Sequence, residues 1–152
     1  MTYILHDDET VRTMVADLIL LERDATAAYV RILDRLVDAK SREKVGHFLE
    51  NRQRRLAELT RMSFALRSGA PGEAVARHYL PTGRIALGSL MSDGAILNAM
   101  SVGEDETVAA YERASAHPEA SLKSRTMFER CLRDALQHRS WTESAARAHR
   151  AA

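Results

Sequence analysis

The sequence predicts an all-α fold, a four-helix bundle built from two helical hairpins joined by a long crossover. Three observations lead to this prediction. Apolar residues recur at three- and four-residue spacing through four long stretches, which is typical of amphipathic helices. Only three Pro and seven Gly interrupt the 152 residues, which favours long helices. The strict apolar–polar alternation of a half-buried strand occurs nowhere in the sequence.

The composition is that of a globular protein, and the length suits one domain over residues 1–152. The 22 basic and 21 acidic side chains leave a net charge of +1, so we expect no strong attraction to nucleic acid or membrane. Cys131 is the single cysteine, which excludes an intramolecular disulfide and favours a reducing, cytoplasmic location. We expect neither a signal peptide nor a membrane-spanning segment.

The first hairpin is predicted to contain helices at about residues 8–38 and 41–68. Asp7 or Asp8 can cap the first helix, and Ser41 can cap the second. A Gly-Ala-Pro-Gly stretch follows the second helix as a stop signal. The apolar stripes of this hairpin include Val11, Val15, Leu18, Tyr29, Ile32, Val45, Phe48 and Leu59.

The second hairpin is predicted at about residues 93–115 and 118–148, with Ser92 or Asp93 as the cap of its first helix. Pro118 suits the first turn of its second helix, where the missing N–H costs nothing. The apolar stripes here include Ile96, Met100, Thr107, Val108, Leu122, Met127, Phe128, Cys131 and Ala135.

Residues 69–92 are less regular and are predicted to form the crossover, packed on the bundle. Glu73 to Tyr79 can form a short helix that is broken before Pro81. A second short helix can follow before the next hairpin. A pocket beneath this segment would allow the protein to carry a small ligand.

An octet repeats in the first and third helices. It reads Glu22-Arg-Asp-Ala-Thr-Ala-Ala-Tyr29 in the first and Glu104-Asp-Glu-Thr-Val-Ala-Ala-Tyr111 in the third. Duplication of a helical hairpin would explain it. Both glutamates lie on apolar stripes, so both carboxylates should point toward the bundle axis at about the same level. An ionised carboxylate taken out of water needs a cation, several donors or a proton.

The Glu-to-Tyr spacing resembles the first-helix ligand pattern of rubrerythrin-type, ferritin-like di-iron proteins. In that group one helix of each pair supplies a Glu and the other supplies Glu-x-x-His. Glu22 and Glu104 are the two glutamates that carry over. In the corresponding register the second helix has Arg52-Gln-Arg-Arg55, and the fourth has Ala-Leu-Gln-His138. Three of the six ligands that the resemblance implies are therefore replaced.

The stretch that begins at Asp93, DGAILNAMSVGEDETVAAYE, resembles the third helix of an uncharacterised bacterial family of ferritin-like four-helix-bundle proteins. The second helix of that family also has an Arg-rich stretch followed by Glu-Leu, as Arg52 to Leu59 does here. The resemblance extends over roughly residues 10–148. It implies a ferritin-like bundle with a degenerate di-iron site and a stress-related setting, and it implies no established reaction.

An arginine at the inner stripe can take the place of the metal. A guanidinium forks to carboxylates and does not lose its proton in practice. We therefore expect Arg52, helped by Arg55, to pair with Glu22 or Glu104, and His138 to complete the cluster. The alternative for Arg52 is a long side chain that reaches solvent from the rim of the stripe.

A metal site is the alternative to this ion-pair cluster. Fe, Mn or Zn could be held by Glu22, Glu104 and His138, in which case the protein would be a redox or storage protein. Tyr29 and Tyr111 are most simply core residues whose hydroxyls bond to the polar cluster. A redox role for either tyrosine would require a metal.

Four further features have simple interpretations. His47 and Glu50 lie three residues apart and could bind a metal at the surface, but that pattern is common by chance. The arginines within residues 52–55 lack interleaved aromatics, so a solvated helix face is favoured over a nucleic-acid site. Trp141, near the end of the bundle, is a candidate subunit contact. Cys131 is expected to be buried and inert.

The sequence thus favours a non-catalytic bundle that acts through its surface, as a homo-oligomer, with a dimer favoured, or as a protein that binds another protein. No phosphate loop, Ser/His/Asp order or Cys-x-x-Cys motif supports an enzyme, and no cofactor is expected. The alternatives are the metal-binding protein and the small-ligand carrier described above.

Overall fold

The computed structural model describes residues 2–66 and 92–151, with side chains over 10–66 and 92–150. These residues form four helices and, within those ranges, no strand, so the predicted all-α bundle is confirmed. The predicted crossover lies outside the described residues, apart from its last position. None of the described helices is long and apolar enough to cross a membrane. The helices are α1 (Thr2–Arg35), α2 (Ala39–Ala65), α3 (Asp93–Ser115) and α4 (Leu122–Ala151).

The helices run antiparallel to each neighbour. Short turns make α1–α2 and α3–α4 antiparallel hairpins. Between the hairpins, Glu22 and Tyr29 of α1 meet Tyr111 and Glu104 of α3 in reverse order, so α1 and α3 are also antiparallel. The order around the bundle is therefore α1, α2, α4, α3, and α2 and α3 run in the same direction on a diagonal.

The start of α1 and the cap of α2 both differ from the sequence prediction. The first helix begins at Thr2, so Asp7 and Asp8 lie inside it and the predicted cap is wrong. Asp38, with extended backbone, caps α2: its carboxylate accepts the backbone N–H of Ser41 at 2.9 Å and the hydroxyl of Ser41 at 2.8 Å. Ser41 thus lies in the first turn and is buried.

The start of α3 is hydrogen-bonded to the turn between α1 and α2. Ser92 caps α3 as predicted, and its hydroxyl accepts the N–H of Ala95 at 3.2 Å. The alternative cap, Asp93, instead accepts the backbone N–H of Val37 at 3.0 Å and that of Asp38 at 2.8 Å. These bonds satisfy two backbone donors of the turn between α1 and α2.

Pro118 lies in a turn and not in the first turn of α4. The helix begins at Leu122, and the backbone N–H of Ala120 donates to the carbonyl of His117 at 3.2 Å. Pro118 therefore occupies the second position of a tight turn, where its restricted φ is favourable. Ser121 caps α4, accepting the backbone N–H three residues on at 3.1 Å. Leu122, expected on the inner stripe, is exposed.

The buried apolar residues form two clusters along the bundle axis. One cluster includes Val15, Leu18, Leu59 and Phe128, and the other includes Ile32, Val45, Phe48, Ile96 and Met100. Polar side chains on all four helices lie between the two clusters. This polar layer sits where two carboxylates interrupt the apolar stripes of α1 and α3.

Candidate functional site

Glu22 and Glu104 are fully buried on facing helices. Each is on the inward face because an apolar residue lies three or four positions away on either side, as Leu18 and Ala25 do for Glu22. The structure places them in one network with four more of the expected side chains: Tyr29, Arg52, Arg55 and Tyr111. We call these six residues the buried polar cluster.

Arg52 lies between the two carboxylates. Its Nη1 donates to Oε2 of Glu22 at 2.9 Å, and its Nη2 donates to Oε1 of Glu104 at 2.8 Å. The side chain is 1% exposed, so it does not reach solvent from the rim of the stripe. The guanidinium carbon lies 4.9 Å from the ring centre of Tyr29, a cation–π contact. One arginine therefore joins both hairpins through their acids.

Arg55 binds Glu22 from the other side. Its Nη1 donates to Oε1 of Glu22 at 2.8 Å, and the Tyr111 hydroxyl donates to the same oxygen at 2.9 Å. With the bond from Arg52, Glu22 accepts from three donors on its two oxygens. The guanidinium carbon of Arg55 lies 5.4 Å from the ring centre of Tyr111. Glu22 is thus compensated by two positive charges and a hydroxyl.

The environment of Glu104 is poorer in donors. Arg52 and the hydroxyl of Tyr29 both donate to its Oε1, while Oε2 has no hydrogen-bond partner among the described residues. Burial raises the pKa of Glu104 well above its ordinary value, and the charges of Glu22 and Asp105 act in the same direction. Burial would also raise the pKa of Glu22, but its arginine partners bring that pKa below the ordinary value. The two carboxyls therefore differ in their affinity for a proton.

His138 lies beside the cluster without joining it. Its ring stacks on Phe48 with centres 3.9 Å apart, and no described hydrogen bond links it to either glutamate. The ring of Trp141 also contacts Phe48, in an edge-to-face arrangement with ring centres 5.4 Å apart. Burial, aided by the charges of Arg52, Arg55 and a lysine, lowers the pKa of His138 to about 2. The expected completion of the cluster by a histidine is not what the structure shows.

Thr107 is a member of the network that the sequence analysis did not assign. Nη2 of Arg52 donates to its hydroxyl oxygen at 3.2 Å, and the hydroxyl itself donates to the carbonyl of Gly103 at 3.1 Å. Its position three residues after Glu104 on the inner stripe was the available indication. A polar side chain at that spacing shares the helix face of the glutamate.

The remaining singled-out residues lie apart from this network. Cys131 is buried as predicted, and burial raises the pKa of its thiol to about 12, which keeps it protonated and unreactive. His47 and Glu50 are both 66% exposed, with 4.0 Å between Nδ1 and a carboxylate oxygen. This is a solvated pair on the helix surface.

The residues present do not fit a di-iron centre. A guanidinium bonded to both glutamates places a fixed positive charge where the metal ions would lie. Among the side chains that the structure describes, within residues 10–66 and 92–150, no group of three or more His, Cys, Asp or Glu is arranged to hold a metal ion. No family model and no curated protein matches the chain.

Proposed function

We propose that this protein is a non-catalytic bundle of ferritin-like type in which an ion-pair cluster takes the place of a di-iron centre. The observation that carries the proposal is the bridge from Glu22 through Arg52 to Glu104. The glutamates occupy the positions that resemble di-iron ligands, and Arg52 and Arg55 stand where the resemblance calls for Glu and His. Positive side chains thus compensate the buried acids that metal ions would compensate in that family.

The arrangement of the helices supports the ferritin-like part of the proposal. Because α2 and α3 run in the same direction, the end of α2 and the start of α3 lie at opposite ends of the bundle. Ferritin-like folds, in which one long crossover joins two hairpins, have this arrangement of helices. The octet repeat on α1 and α3 also agrees with two related hairpins.

The burial of the cluster supports a structural role. Each of its six side chains is at most 4% exposed, and the charged groups bind one another. A catalytic group has to reach its substrate directly or through one water. Because the buried charged groups bind one another, their role is to fix how the two hairpins pack together. The physiological activity then belongs to the surface of the bundle.

We assign the surface activity to self-association, with a dimer favoured, or to binding of a protein partner. Val30 of α1 and Val102 of α3 are 48% and 46% exposed, and they lie at neighbouring levels of the antiparallel pair. Half-buried Trp141 adds an aromatic side chain of the kind that interfaces favour. A cytoplasmic location and a stress-related setting belong to the same proposal and rest on the family resemblance.

Metal analysis of protein purified without a chelator tests the central claim. We expect Fe, Mn and Zn well below one equivalent per chain. A stoichiometric metal that disappears in the combined Glu22→Gln and Glu104→Gln variant would overturn the proposal in favour of a metal-binding redox or storage protein. Sedimentation analysis tests the oligomer, and a monomer at every concentration would refute self-association.

A further inference from the structure

A cavity of about 220 Å³ opens between α2 and α4, beside the buried polar cluster. It is bounded by successive turns of α2 and by one turn of α4. Its walls carry three guanidinium groups, two carboxylates and one thiol, from Arg54, Arg55, Arg130, Glu58, Asp134 and Cys131. The cavity therefore extends from the surface to the side chain of Arg55.

Arg55 uses only part of its donor capacity within the cluster. Its side chain is 2% exposed, and Nη1 donates to Glu22. Nε and Nη2 are buried and have no acceptor in the part of the chain that the structure describes. These two nitrogens form one edge of the guanidinium, and their N–H bonds are nearly parallel. That edge matches two oxygens of a carboxylate or a phosphate.

The wall of the cavity holds three guanidinium groups and two carboxylates. Arg130 forms an ion pair with Glu58 at a partly exposed site, so these two charges largely offset each other. Arg54 is exposed on α2 and adds a positive charge. Asp134 is the remaining acidic group in the wall, and its negative charge should weaken the binding of an anion without preventing it.

We propose that this cavity binds a small oxyanion, on the free edge of Arg55, with Arg54 and Arg130 at the mouth. A volume of about 220 Å³ lies below the range usual for the pockets of drug-sized ligands, so the ligand that carries the oxyanion is a compact molecule. Carboxylate and phosphate share the chemistry that the edge recognises. The site adds a ligand to the proposed function, and it does not depend on whether the glutamates ever bind metal.

Calorimetric titration with inorganic phosphate and, separately, with acetate tests the site, against chloride at equal ionic strength. Saturable binding of one stoichiometric anion is expected, and the anion that binds more tightly identifies the group. Arg54→Gln and Arg130→Gln should each weaken binding by about tenfold or more, because each removes a charge-assisted contact. Asp134→Asn should strengthen it.

Arg133→Gln is the matched control, since Arg133 is exposed on α4 outside the cavity wall. It should leave the affinity unchanged. Arg55→Lys keeps the charge beside Glu22 and removes the two-donor edge, so it should abolish binding while circular dichroism shows a folded helical protein. If the Arg55→Lys variant unfolds, the affinities of the Arg54→Gln and Arg130→Gln variants test the proposal instead. Absence of saturable binding, or equal weakening by the control, would overturn the proposal.

Discussion

Tyr111 of α3 donates its hydroxyl to Oε1 of Glu22 on α1 across 2.9 Å. The same relation holds in reverse, because Tyr29 of α1 donates to Oε1 of Glu104 on α3. Each copy of the repeated octet therefore supplies the acid for one bond and the phenol for the other. Antiparallel packing makes this exchange possible, since it brings the start of each octet beside the end of its counterpart.

The two bonds are expected to differ in their contribution to stability. Tyr29→Phe should lower the free energy of unfolding by about 1–3 kcal/mol, because it leaves Glu104 with Arg52 as its remaining described donor. Tyr111→Phe should cost less, since both oxygens of Glu22 keep an arginine. Urea unfolding of this matched pair of variants measures the difference. A larger cost for Tyr111→Phe would contradict the assignment of donors.

Removal of the bridging guanidinium should be strongly destabilising. Arg52→Ala leaves two buried acids without their shared counter-ion, and we expect a loss of about 3–5 kcal/mol in the free energy of unfolding. Combining Arg52→Met with Glu104→Gln should recover much of that loss, because Glu22 and Arg55 still pair with each other and no buried charge is then left without a partner.

The control for Arg52 is Arg139→Ala. Arg139 makes an ion pair of 3.4 Å with Asp105 at a more exposed site, so its removal should cost less than about 1 kcal/mol. A melting temperature of Arg52→Ala equal to that of the wild type would show that the cluster is not needed for stability.

Restoring the missing ligands tests the relation to di-iron proteins. Arg52→Glu, Arg55→His and Ala135→Glu together complete the ligand set with His138 and the two buried glutamates. The apoprotein should be less stable than the wild type, because four carboxylates then share one buried site. Added Fe²⁺ or Co²⁺ should bind at about two equivalents and raise the melting temperature. The same variant with Glu22→Gln is the control, and a melting temperature independent of metal in the full variant would contradict the assigned register.

His138 should give the protein a measurable pH dependence. With its folded pKa lowered to about 2, His138 stays neutral in the folded protein, while the unfolded chain takes up a proton below about pH 6.5. Stability from this group is therefore lost as the pH falls below 6.5, by about 1.4 kcal/mol per pH unit. His138→Gln should reduce the loss between pH 7 and 5 by roughly 2 kcal/mol.

The exposed His47 provides the control for that measurement. His47→Gln should keep the pH dependence of the wild type in urea unfolding followed at each pH. Identical slopes for the His138→Gln variant and the wild type would show that His138 is protonated in the folded state.

Glu104 should hold a proton under conditions where exposed glutamates are ionised, because burial raises its pKa. A raised folded pKa adds stability below the unfolded pKa, and this stability is lost as the pH rises through the folded value. Infrared spectra should show the carbonyl band of a protonated carboxyl that Glu104→Gln removes and Glu22→Gln retains. Loss of the band in the Glu22 variant alone would reverse the assignment.

Much of the bundle follows from the periodicity of apolar residues. Inner positions such as Val45, Leu97 and Val108 are buried because helical spacing places them on one face, whatever their neighbours are. The ends of helices were less predictable. Ser41 and Pro118 are both residue types that suit the start of a helix. Asp38 caps α2 in place of Ser41, and Pro118 lies in the turn that precedes α4.

By itself, the sequence indicated that two acids, Arg52 and two tyrosines face one axis, because the period of a helix is a local property. Its interpretation of the arginines within residues 52–55 as a solvated helix face was wrong for Arg52 and Arg55, which are buried. Only the tertiary structure decided which oxygen meets which donor, since those contacts depend on the distances between helices. It joined Arg52 to both glutamates and stacked His138 on Phe48. It also left one edge of Arg55 without an acceptor among the described residues, beside a cavity that no single helix encodes.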